Sequence, residues 1–118
     1  PLFNRNQAKI AVVEVRIRQA ELAVQALRVE LARRLDEVYR TLVASQDRVT
    51  VYETEIVPKA QTALDLTNEG YKQGKFGYLD VLDAQRTLAE ARIAFVAAVV
   101  DLNASAIELE KLTGTRLK

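Results

Sequence analysis

Apolar or small residues recur at Ile10, Val13, Ile17, Ala20, Val24, Leu27 and Leu31 in alternating steps of three and four, the spacing of a helix with one buried seam. The rhythm slips once. From Leu31 it steps four to Leu35, then runs on through Val38, Leu42, Ser45, Val49, Tyr52 and Ile56. Two consecutive steps of four are a stutter, which locally unwinds a coiled coil and turns the face it presents, so the packing is expected to change near residue 33. Pro58 lies inside the pattern, where it lacks a donor for the Thr54 carbonyl and crowds it. Because the seam resumes at Ala60, Ala63, Thr67 and Tyr71, the pattern predicts one kinked helix over residues 8–72 rather than two helices, with Asn4 or Asn6 as its cap.

The segment from Gly70 to Tyr78 holds three of the four glycines and is the one strong break, predicting a turn at 73–77. Gly74 suits a left-handed position after a last turn carrying Lys72, and Gly77 suits the N-cap of a second helix over 78–112. Asp80 and Asp83 fall in the first two turns of that helix, where its dipole favours anions. Lys111 lies in the last turn and Gly114 is the stop. The fold class is therefore all-α: a single 1–118 domain built as a long antiparallel, coiled-coil-like helical hairpin.

The second helix is apolar on two sides, one stripe reading Ala89, Ile93, Val96, Val100 and Ile107, the other Leu88, Phe95, Val99, Leu102, Ala106 and Leu109. So wide an apolar surface needs neighbours on more than one side. The arms also differ in length, roughly 98 Å against roughly 52 Å at the α-helical rise. Folding about Lys75 sets Tyr39 opposite Leu112 and leaves residues 8–32 without a partner in the chain. Two readings follow: a first helix that folds back into a three-helix bundle, or an elongated assembly whose partner helices come from elsewhere, in which case the chain self-associates.

Composition narrows the chemistry. The 118 residues are 49% hydrophobic and 28% charged, with 4 Gly and 2 Pro, a helix-favouring mixture. The 17 basic and 16 acidic residues nearly cancel, and no basic run exceeds Arg33-Arg34, so no nucleic-acid footprint is present. Cys, His, Met and Trp are absent, which removes thiolate nucleophiles, imidazole bases and the usual zinc and copper ligands. No metal site, cofactor or catalytic residue is expected; an Asp80/Asp83 acid–base pair is all an enzyme reading would have. The longest apolar run, Ile93 to Val100, is far short of the roughly 20 residues a membrane-spanning helix needs.

The stretch Asn68-Glu69-Gly70-Tyr71-Lys72-Gln73-Gly74-Lys75-Phe76-Gly77-Tyr78-Leu79-Asp80-Val81-Leu82-Asp83-Ala84-Gln85-Arg86-Thr87-Leu88 resembles the hairpin-tip signature of TolC-family outer-membrane efflux proteins, most closely the heavy-metal, cobalt-zinc-cadmium branch. The opening Pro1-Leu2-Phe3-Asn4-Arg5-Asn6-Gln7 is similar to the exit from a barrel strand into the periplasmic helix, and Leu109-Glu110-Lys111-Leu112-Thr113-Gly114 to its close. The resemblance implies a fragment of a homotrimeric duct: the helices of one half, part of a periplasmic α-barrel carried by a bacterial outer-membrane protein. It implies that the tip, Gly74, Lys75, Phe76 and Gly77, meets a periplasmic adaptor (membrane fusion) protein and through it an inner-membrane RND pump. It also implies that Tyr71, Asp80 and Asp83 form the channel entrance or gate. At Phe76 the chain departs from the best-known member, which has an arginine there, so a salt-bridged gate of that design does not carry over. The alternative is a generic coiled-coil interaction module, such as an adaptor's own hairpin.

Overall fold

The structure, a computed structural model, describes residues 2–114. In chain order these form α1 (Leu2–Val51), a π-helical turn (Tyr52–Ile56), α2 (Val57–Lys72) and α3 (Tyr78–Thr113), with no strand among the described residues. Two compact units divide them, Pro1–Glu37 and Val38–Lys118.

The first unit lies within α1, which begins at Leu2; Asn4 and Asn6 are therefore inside the helix and do not cap it. No turn interrupts α1, so the second turn that a three-helix bundle would need is absent between Leu2 and Val51. Every described side chain from Phe3 to Glu37 is exposed, including the seam residues Ile10, Val13, Ile17, Val24, Leu27 and Leu31. Arg33 sits one turn from both Glu30 and Glu37 and pairs with each, at 2.8 and 3.2 Å. Its hydrogen bond and charge hold the Glu30 carboxyl below the ordinary carboxylate range. Such exposed pairs on one helix stabilise it only slightly.

The second unit begins just after the stutter, and Val38 is its first buried side chain. It is an antiparallel helical hairpin. The face that α3 buries is an unbroken heptad: Val81, Leu88, Phe95, Leu102 and Leu109 alternate with Ala84, Ala91, Ala98, Ser105 and Leu112, all buried or half-buried. Large side chains at one heptad position and mostly small ones at the other let the helices approach closely. Ala98, at 3% exposure, is the most buried of them. Of the two stripes expected on this helix, the one through Leu88, Phe95, Leu102 and Leu109 faces the hairpin; the other is open, with Ile93 70% and Val96 60% exposed.

Register is fixed by contacts along the seam. Ser45 Oγ meets Ser105 Oγ at 3.4 Å, both residues buried, so each hydroxyl finds a partner. Arg48 pairs with Asp101 at 3.6 Å, and the Arg92 guanidinium donates to Gln61 Oε1 at 3.0 Å. Each pair lies within two residues of the pairing set by folding about Lys75.

The passage past Pro58 differs from the sequence pattern. The Val57 N–H donates to the Tyr52 carbonyl, five residues back, so one extra residue is taken up ahead of the proline. Pro58 then occupies the first turn of α2, where a missing N–H is tolerated. The inserted residue shifts the seam: it steps from Tyr52 to Val57 and continues through Ala60, Gln61, Leu64 and Thr67, all half-buried. Ile56 and Ala63, expected on the inner face, are exposed.

Candidate functional site: the hairpin tip

Two helix ends and the link between them build the tip. At the end of α2 the Gly74 N–H donates to the Tyr71 carbonyl at 2.9 Å and the Lys75 N–H to the Gly70 carbonyl at 2.8 Å. This pair of bonds is a Schellman motif, and it places Gly74 in the left-handed region at φ 73°, where a Cβ is disfavoured. The Phe76 N–H also points at the Gly70 carbonyl, at 3.3 Å. Gly70 thus accepts twice from the link.

Its role extends to packing. Gly70 is buried, and a Cβ built on it would overlap the edge of the Phe76 ring. The aromatic side chain folds back onto the bare backbone of α2 while remaining 49% exposed on its outer side. Sequence reasoning placed Gly70 in the turn segment but gave it no function, since nothing local shows that a residue six positions on will need its missing side chain.

At the start of α3, Gly77 is the N-cap with φ −83°, a conformation any residue adopts. The Gly77 N–H donates to Asp80 Oδ2 at 2.8 Å, and the Asp80 N–H to the Gly77 carbonyl at 3.2 Å. Asp80 therefore serves the cap through the carboxylate half of a capping box as well as favouring the dipole. Gly77→Ser should leave helicity and thermal midpoint unchanged, because an added Cβ would make only an ordinary 3.5 Å contact with Asp80. Asp80→Ala removes the cap bond and should cost about 0.5–2 kcal/mol in denaturant unfolding. A larger loss for Gly77→Ser than for Asp80→Ala would show that the cap is misassigned.

The other expected residues surround this frame. Tyr71 is half-exposed, and its ring lies 6.0 Å from that of Tyr78, tilted by 54°, an aromatic pair of ordinary geometry. Tyr78 was not among the sequence candidates. Asp83, one turn beyond Asp80, is exposed and takes no part in the cap. Lys75 is exposed at the apex, and Leu79, in the first turn of α3, is 78% exposed. The tip is thus an open surface of Phe76, Tyr78, Leu79 and Lys75 held on a hydrogen-bonded frame. Among the described residues no cluster of three metal-ligating side chains occurs, and no helix is long and apolar enough to cross a membrane.

Comparison with known proteins fits this architecture to a class. The profile of the outer membrane efflux protein family matches residues 1–115, and the chain belongs to that family. Among curated proteins, the cobalt-zinc-cadmium resistance protein CzcC of Cupriavidus metallidurans is 34% identical over 117 residues, which is 97% of this chain and 27% of that protein. The chain thus spans about a quarter of the length of this relative. No solved structure matches it. Membership of this family sets aside the alternative of an adaptor's own hairpin.

Proposed function

We propose that this chain is a periplasmic helical segment of an outer-membrane efflux channel, one component of a tripartite system that exports metal cations or other small toxic compounds. The observation that carries the reading is the tip: a turn fixed by two helix-end motifs presents aromatic and aliphatic side chains outward, in a chain of the efflux family. Exposed apolar groups on a rigid frame make a docking surface. Its partner in this reading is a periplasmic adaptor, which joins the channel to an inner-membrane RND pump.

The open stripe of α3 and the exposed seam of α1 would be covered by other helices of the complete channel, a homotrimer. Threefold symmetry would gather Asp80 and Asp83 with Tyr71 into an acidic entrance suited to cations. The segment moves substrate without covalent change and is no enzyme. Specificity for a metal would lie in the pump and adaptor, since soft and borderline ions prefer the N and S ligands that this chain lacks.

Deleting the gene from its host should raise sensitivity to cobalt, zinc or cadmium, and restoring the complete channel should reverse it. Growth in graded metal reads the outcome. Unchanged tolerance to all three ions, with other toxic compounds unaffected as well, would contradict an efflux role.

A further inference from the structure

We infer that Gly70 is a positioning residue of the docking surface: it is the socket in which Phe76 is seated, and this seat fixes the shape of the tip that a partner meets. The inference rests on the reading of the tip as a docking site and assigns the residue that sets its shape. Three observations converge on Gly70. Its carbonyl accepts the N–H groups of both Lys75 and Phe76, at 2.8 and 3.3 Å, so two apex residues are tied to this one oxygen. It is buried although it lies only four residues from the apex glycine, whereas every residue from Tyr71 to Asp80 is exposed. A side chain there would collide with the Phe76 ring, and with no other side chain or non-local backbone among its nearest contacts.

The helix itself does not ask for glycine at this position. Gly70 lies within α2 and its φ is not positive; the positive-φ glycines are Gly74 and Gly114. Glycine inside a helix costs stability relative to alanine. By local propensity Gly70→Ala should therefore favour α2, and the gain from the bare backbone must be sought in the ring it admits. With the ring seated against Gly70, Phe76 loses rotamer freedom before any partner arrives, and its outer side stays open at 49% exposure. A preorganised surface binds without the ordering cost that a loose apex would carry.

A double-mutant cycle tests this in the full-length channel, reconstituted and titrated with its purified periplasmic adaptor. Gly70→Ala should weaken adaptor binding by about tenfold or more, the scale of an overpacked contact. In a Phe76→Ala background the same change should alter the Kd by less than about twofold, because the collision partner is gone. A 4-fluorophenylalanine probe at position 76 supplies a readout independent of the adaptor: Gly70→Ala should move its 19F resonance toward the solvent-exposed position. Equal effects of Gly70→Ala in both backgrounds, or no effect in the wild type, would overturn the socket. If the fluorine signal moves as expected but the wild-type channel binds no adaptor, the seat exists but the docking reading fails, and the positioning role falls with it.

Discussion

Phe76→Asp and Gly74→Val are expected to abolish export by the complete channel while its accumulation, trimer level and helicity stay at wild-type values. Both changes strike the apex and leave the seam alone. Phe76→Asp replaces the ring that rests on the backbone of Gly70 with a short carboxylate better solvated in water, so the apex loses its anchor. Gly74→Val sets a β-branched residue at φ 73°, which opposes the Schellman turn by about 1–2 kcal/mol. Penalties of that size cannot unfold a hairpin whose contacts run from Val81 to Leu109, and nothing lies within 4 Å of a Cβ at Gly74 to add a clash. Glu21→Ala, on the exposed surface of the first unit, is the control and should export normally. Drug or metal efflux measured beside immunoblots of the channel separates the outcomes. Normal export by the tip variants, or failure only through loss of the protein, would make the turn a mere connector.

Ala98→Leu is expected to lower the stability of the hairpin by about 1–3 kcal/mol, because a helix face that alternates large and small side chains has no room for a second large one. At 3% exposure Ala98 lies between Phe95 and Leu102 in the α3 seam. Val96→Ala, at 60% exposure, should stay within about 0.5 kcal/mol of wild type in the same chain. Denaturant unfolding followed by circular dichroism measures both. Equal stability for Ala98→Leu would mean that the small positions are not close-packed.

Much of this architecture is legible in the residues. Leu88, Phe95, Leu102 and Leu109 stand out because large apolar side chains at seven-residue spacing give a strong signal. Ala84, Ala91, Ala98 and Ser105 do not, since alanine and serine are common on every face of a helix and their burial becomes visible only once a partner lies against them. The π-helical turn is hidden for a related reason. Ile56 and Val57 are adjacent and both apolar, so a step of four and a step of five from Tyr52 read alike, and only the backbone chooses between them.

At the tip, Gly74 is legible because helix C-terminal chemistry is local: a lysine in the last turn, then a glycine with positive φ. Gly77 and Asp80 follow from N-cap chemistry in the same way, although the carboxylate does more than face the dipole, since it accepts the Gly77 N–H. Gly70 is not legible. Its requirement comes from a side chain on the far side of the Schellman turn, and a helical glycine carries no mark of what will be packed on it. The pairing of Tyr71 with Tyr78 escapes sequence reading likewise, because it depends on how the turn brings two helix ends together.

The central claim is that the tip meets a periplasmic adaptor, and a photo-crosslinking amino acid placed at position 75 of the full-length channel in living cells tests it most directly. The account predicts one discrete adduct from the probe at position 75, identified by mass spectrometry as a periplasmic adaptor, and none when the probe replaces Glu21. No adduct from position 75 in a channel that exports normally, or the same adduct from both positions, would contradict it.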